Sequence, residues 1–238
     1  ILLLGFGWWY IRKIKAKNRA EQERLKTQNY LLTLEQKALQ LQMNPHFIFN
    51  VLNGVKAMAG TKPDKMDATI NSFAILLRET LQNSRKEHIG LDQEIKALKH
   101  YIEVEQLMAQ KPFEYSIKVK TTPDAEEILI PPMLIQPFVE NAIRHGILKG
   151  EKEGKLEIGF TTSKTHLHCS IIDNGLGIFK SQNEKVKTDH QSMALTVTKE
   201  RLESIAGKNT LHITEIKNED GSVEGTKIAF KIPLLTDY

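Results

Sequence analysis

Three short segments carry side chains whose types and spacing could do chemistry. The first is Asn44-Pro45-His46-Phe47-Ile48-Phe49-Asn50. Pro45 has no N–H, so within a helical run the carbonyl of Leu41 loses its partner and the helix is expected to kink. A neutral imidazole at His46, beside loosened backbone, is a candidate nucleophile. Asn50, one turn on, can reach the ring and fix its tautomer. A histidine packed among Phe47 and Phe49 as a core residue is the plainer reading of the same stretch.

The second segment is Phe138-Val139-Glu140-Asn141-Ala142-Ile143-Arg144-His145-Gly146. Asn141 and His145 share a helix face with Phe138. The amide oxygen of Asn141 and the carboxylate of Glu140 suit an oxygen-seeking Mg²⁺ that also holds phosphates. Arg144 as a surface charge and Gly146 as a helix cap would account for the rest. The third is Ile171-Ile172-Asp173-Asn174-Gly175-Leu176-Gly177-Ile178. Asp173 can accept a hydrogen bond from the amino group of a base, with Gly175 and Gly177 letting backbone approach the ligand. Against this, Asn-Gly between apolar residues is a strong hairpin signal. No Gly-Lys-Ser/Thr follows, so the segment is not a P-loop.

Elements must position these groups. Residues 12–42 lack proline and glycine and are rich in helix formers. Leu25, Leu32 and Leu39 repeat at seven and Leu31, Leu34, Ala38 and Leu41 at three to four, a seam that predicts a partner helix in a parallel homodimer. A second helix runs from Asn44 to about Ala59 and stops at Gly60. A third holds Met66, Ile70, Phe73, Leu77 and Leu81 on one face, and a fourth spans Asp92 to about Ala109 and holds Ile95, Leu98 and Ile102. The first two of these make a hairpin that would dimerise into a four-helix bundle.

From Lys111-Pro112 onward the texture alternates as strands do, at 113–120, 155–160, 167–172 and 226–232, with helices around 132–145 and 194–206. The expected fold class is α+β, a sandwich following a helical stem. The expected regions are 43–110 (helical) and 111–238 (sandwich). Ile1 to Ile11 is apolar, ends in Trp8-Trp9-Tyr10, and is followed by Arg12 to Lys17. That order reads as the end of a transmembrane helix with the basic cluster on the cytoplasmic side, so residues from about 12 onward would be cytoplasmic.

Charge narrows the partners. Residues 1–30 carry seven Lys/Arg against two Glu, a net +5; with +4 overall, the other 208 residues hold −1. No basic face for direct contact with nucleic acid is expected. The single cysteine, Cys169, excludes a disulfide framework and the common four-ligand zinc motifs. His166-Leu167-His168-Cys169 is read as a strand with one buried thiol.

Taken in order, these segments resemble the membrane sensor histidine kinases of the LytS/YehU type, with a GHKL-type ATPase domain. Asn44 to Asn50 is similar to that family's histidine motif, Glu140 to Gly146 to its N box, Asp173 to Ile178 to its first glycine box, and Gly225-Thr226 to its terminal Gly-Thr. The resemblance implies ATP and Mg²⁺ as cofactors and a bacterial cytoplasmic-membrane location. His46 would take the γ-phosphoryl group and pass it to an aspartate on a response-regulator receiver domain. Asn141 would ligate Mg²⁺, Glu140 would orient or activate the attacking group, and Asp173 would read adenine beside Gly175 and Gly177. Arg144, His145 and Thr226 would complete the nucleotide site, and residues 179–192 would form a lid. The family's second glycine box reads Gly-x-Gly-Leu; here it is Ser192-Met193-Ala194-Leu195, with Ser192 and Ala194 small enough for phosphate to approach. A nucleotide-binding signalling scaffold with weak catalysis is the alternative this change suggests.

Overall fold

The computed structural model describes residues 12–15, 17–19, 21–22, 45–58, 63–150, 152–177 and 189–236. The chain divides into two compact units, 1–44 and 45–238. In the first, the described residues 12–15, 17–19 and 21–22 are helical. The apolar run 1–11 and the heptad seam fall outside the described residues. Among those residues no helix is long and apolar enough to cross a membrane.

The second unit opens with α1 (Pro45–Met58) and α2 (Pro63–Asn83). Pro45 is the first residue of α1, where a missing N–H costs nothing. The kink expected from the Leu41 carbonyl involves a residue outside the described set. Phe47 and Val51, one turn apart, are buried and Phe47 packs edge-on to Phe73 of α2 at 6.0 Å. The apolar face of α2 is only partly turned inward. Thr69, Phe73, Leu76, Thr80 and Asn83 are buried, whereas Ile70 and Leu81 are exposed. The threonines tolerate that side because their hydroxyls bond locally, as Thr69 Oγ1 does to the carbonyl of Lys65 at 2.7 Å.

A two-residue strand, β1 (Ile89–Gly90), leads into α3 (Leu91–Met108), the helix that joins stem to sandwich. Leu91, Ile95, Leu98, Tyr101 and Ile102 form its buried stripe, and α3 packs on α2, α1 and the strand β3 (Ile128–Ile130). Residues 45–110 and 111–238 therefore belong to one compact unit.

The main sheet holds β2 (Phe113–Lys120), β4 (Gly154–Thr162), β5 (His166–Asp173), β6 (Leu211–Lys217) and β7 (Val223–Pro233). Its order is β2-β4-β5-β7-β6, parallel between β2 and β4 and antiparallel elsewhere. A small sheet β1-β3-β8 includes β8 (Leu235–Thr236). Strict alternation sends Leu156, Ile158, Phe160, Leu167, Cys169, Ile171, Ile228 and Phe230 to one side. They meet α4 (Gln136–Asn141), the wider turns that continue it at Ala142–Ile147, and α5 (Asp189–Ala206). Phe138 stacks on Phe230 at 5.2 Å in this core. The fold is the expected α+β sandwich, one face of a sheet covered by helices.

Candidate functional site

The candidate site lies where β5 ends against the turns after α4. Asp173 is the last residue of β5 and sits 3% exposed, paired in register with Thr226 of β7. Its Oδ1 accepts the N–H of Gly175 at 2.9 Å. Burial pushes its carboxyl up to about 6, against the backbone hydrogen bonds of Gly175 and Thr226. A carboxylate held dry and aimed by backbone donors is set to accept from a polar ligand edge.

The hairpin alternative at Asn174-Gly175 does not hold. Asn174 turns back to β4, its side chain accepting from Lys155 N at 2.7 Å and donating to the carbonyl of Glu153 at 2.8 Å. The chain then crosses to the α4 segment, where Leu176 N meets the Gly146 carbonyl at 3.4 Å. Gly146 is no helix cap: a Cβ there would stand 2.5 Å from Asp173 Oδ1, and one on Gly175 would strike the Gly146 backbone. Two glycines thus bring the second and third segments into direct contact. Gly177 has φ +79°, a conformation that favours glycine.

Asn141 closes α4, half-buried, with Glu140 beside it. His145 lies one turn on, also half-buried. Arg144 is not a loose surface charge. Its Nε donates to Glu105 Oε1 at 3.1 Å and its Nη1 to Glu140 Oε1 at 3.4 Å, with the side chain 12% exposed. Its guanidinium carbon lies 5.8 Å from the ring centre of Phe47, the neighbour of His46. The first segment therefore reaches the second through Phe47 and Arg144. His46 is the second residue of α1, with Asn50 one turn further; the His46 side chain lies outside the described residues.

The expected lid, 179–192, lies outside the described residues up to 188. The backbone is already helical at Ser192 and Ala194, within α5, so no glycine-type turn forms there. Thr226 is buried next to Asp173. His166 and His168 point to the outer face of β5 and Cys169 to the core, where burial pushes its thiol well up. No cluster of metal-ligating side chains occurs among the described residues.

Sequence reasoning missed two buried acids on α3. Glu94 accepts the N–H groups of Met133 at 2.9 Å and Ile135 at 3.2 Å, just before α4. Met133 has φ +57°, and the Glu94 bond helps hold that strained residue. Arg201 of α5 donates to the Pro132 carbonyl at 3.0 Å and supplies the charge facing Glu94. Glu105, also accepting from Tyr101 Oη at 3.0 Å, is the second acid. A signal existed: Leu91, Glu94, Ile95, Leu98, Tyr101, Ile102 and Glu105 lie on one helical stripe.

This sandwich has the fold of the GHKL ATPase class. The family profile "Histidine kinase-, DNA gyrase B-, and HSP90-like ATPase" matches residues 132–236, and "Histidine kinase" matches 34–113. The chain is 34% identical to the "Sensor protein LytS" of Bacillus cereus, over 84% of this chain and 34% of that protein. It is 32% identical to the "Sensor histidine kinase/phosphatase LytS" of Staphylococcus aureus, over 66% of this chain and 27% of that protein. A histidine kinase domain from a blue-light-activated kinase of Erythrobacter litoralis aligns at TM-score 0.42 and 15% identity, over 84% of this chain and 94% of that one. The chain belongs to the histidine kinase family, among the sensor kinases of the LytS type. It spans about a third of the length of these curated relatives.

Proposed function

We propose that this chain is the kinase portion of a two-component sensor, which autophosphorylates His46 from ATP and passes the phosphoryl group to an aspartate of a response-regulator receiver domain. The observation that carries the reading is the junction of three segments: Asp173 and Gly175 seat against Gly146, and Arg144 of the same turn bears on Phe47 beside His46. What supports a nucleotide here is the buried acceptor of Asp173, oriented by the Gly175 N–H. Asp173 reads the adenine amino group, with Gly175, Gly177 and Thr226 around it. The oxygen donors of Asn141 and Glu140 suit Mg²⁺, which neutralises charge on the phosphates when bound. Ser192, Ala194 and His145 complete the phosphate side of the site.

In the transfer, the imidazole nitrogen of His46 forms the N–P bond as the bond from γ-phosphorus to the bridging oxygen breaks, leaving ADP. Asn50 fixes the tautomer, and Glu140 is the group that orients His46 or takes its proton. The division of labour follows the chain: signalling helix at 12–42, phosphoacceptor and dimerisation helices at 43–110, ATP-binding domain at 111–238. Exposed Phe49, Leu52, Ile70, Ile75 and Leu81 on α1 and α2 support a homodimer. The apolar run 1–11 followed by basic residues supports a membrane anchor with the rest cytoplasmic.

Incubation with γ-labelled ATP and Mg²⁺ should give an acid-labile, alkali-stable label that is absent from His46→Gln. Label persisting in that variant would remove His46 from the mechanism. Nucleotide binding with no labelled histidine would instead mark a signalling scaffold.

A further inference from the structure

Helix α3 grips the Asn141 segment at both ends with buried carboxylates. Glu94, 2% exposed, holds its start through Met133 and Ile135; Glu105, 3% exposed, holds its end through Arg144. The second grip has the more telling geometry. Tyr101 Oη and Arg144 Nε both donate to the same oxygen of Glu105, at 3.0 and 3.1 Å, so the carboxylate is itself fixed. Arg144 also donates Nη1 to Glu140, at 3.4 Å. Beneath it lies Phe47, whose ring also packs on Tyr101 at 4.9 Å. One guanidinium thus touches α3, the Glu140–Asn141 turn and the helix bearing His46.

We propose that Glu105 is a positioning residue for phosphoryl transfer, acting through Arg144 to hold the Glu140–Asn141 turn in register with the phosphoacceptor helix. This rests on the kinase reading above. A buried ion pair is weak evidence for stability, because apolar residues of like size fill such a site as well. What the planar fork supplies is direction, which an apolar contact lacks. Phosphoryl transfer depends on alignment, and a displacement of about 1 Å can cost a hundredfold in rate.

The test uses the full chain with Glu105→Gln. The amide keeps an acceptor oxygen for Tyr101 and Arg144 but removes the charge, and Arg144 retains Glu140 as counter-charge. The single-turnover rate of His46 labelling should fall about tenfold to a hundredfold, while affinity for a fluorescent ATP analogue stays within about twofold. Tyr101→Phe, which removes one donor that fixes the Glu105 carboxylate, should show the same split to a smaller extent. An unchanged rate, a faster one, or a rate that falls only in step with nucleotide affinity would overturn the proposal. If unaltered protein labels His46 and Glu105→Gln labels equally well, only this inference fails. If unaltered protein takes no label, the kinase reading fails first.

Discussion

The sandwich and the helical stem bury their apolar residues to different degrees. Phe138 and Phe160 are wholly inside the sandwich, and the inner strands β5 and β7 turn their apolar face to helices of the same chain. On α1 and α2, Phe49 is 65% and Leu52 53% exposed, and Ile70, Ile75 and Leu81 lie at 40–43%. Meanwhile the inward side of α2 spends three of its buried positions on Thr69, Thr80 and Asn83. These helices carry apolar residues on an outward side as well as an inward one, which fits the homodimer proposed above. The sandwich is specified by burial within one chain, whereas the stem leaves apolar surface that the proposed homodimer would cover.

Removing an aromatic from each region separates the two kinds of burial most strongly. Phe138→Ala should cost about 3–5 kcal/mol in urea unfolding, since it opens a cavity against Phe230 that rigid strands cannot fill. Phe49→Ala combined with Leu52→Ala should leave unfolding of dilute protein within about 0.5 kcal/mol. The same pair should weaken self-association in sedimentation by at least about tenfold, or about 1.4 kcal/mol. Equal destabilisation by the two changes would erase the distinction between a closed core and an open seam.

A smaller effect separates stability from function inside the sandwich. The carboxyl of Asp173 is pushed up from 3.8 to about 6, so the folded chain holds a proton that the unfolded chain releases near pH 4. Unfolding releases that proton, and ligand-free stability therefore falls as pH rises from about 4 to about 6. Asp173→Asn removes the buried charge. Its ligand-free stability at pH 7 should rise by an amount on the order of 2 kcal/mol, flattening that pH dependence. Nucleotide affinity should move the other way. It should be lost in the variant and should decline in the unaltered protein as pH drops through about 6, where the acceptor is protonated. A variant less stable at pH 7, or one that binds ATP normally, would contradict the role given to this carboxylate.

What was legible in the sequence follows the same division. The inner strands β4 and β5 announce themselves because each has one dry face, and alternation writes that face into the chain. The edge strand β6 does not: His212, Ile213 and Thr214 are all exposed, so no alternating face marks it. On α2 the apolar face is divided, Phe73 buried and Ile70 and Leu81 exposed, because hydrophobicity alone cannot say which chain will cover a face. The site showed a similar limit. Asp173, Gly175 and Asn141 stood out by type and spacing, and the structure brings the first two against Gly146. Glu94 and Glu105 did not stand out, since an acid on a helix normally faces water. Only its phase with Leu91, Leu98 and Tyr101 betrays burial, and its partners, the backbone before α4 and Arg144, are some 40 residues away.

The smallest predicted effect concerns an ion pair that resembles Glu105–Arg144 in distance and in little else. Lys118 Nζ lies 3.0 Å from Glu157 Oε2 across β2 and β4, with the side chains 62% and 54% exposed. Water screens both charges, and holding two long side chains in one geometry costs entropy that offsets most of the attraction. A double-mutant cycle of Lys118→Ala and Glu157→Ala should give a coupling of about 0.5 kcal/mol at low salt. The coupling should shrink toward zero near 0.5 M NaCl, where screening acts over roughly 4 Å. Labelling of His46 should not change, because neither side chain touches α3 or the Asn141 turn. A coupling of several kcal/mol, or one indifferent to salt, would mean that exposure does not set the worth of charge pairs in this sandwich. The contrast drawn between the outer sheet face and the buried Glu105 grip would then lose its basis.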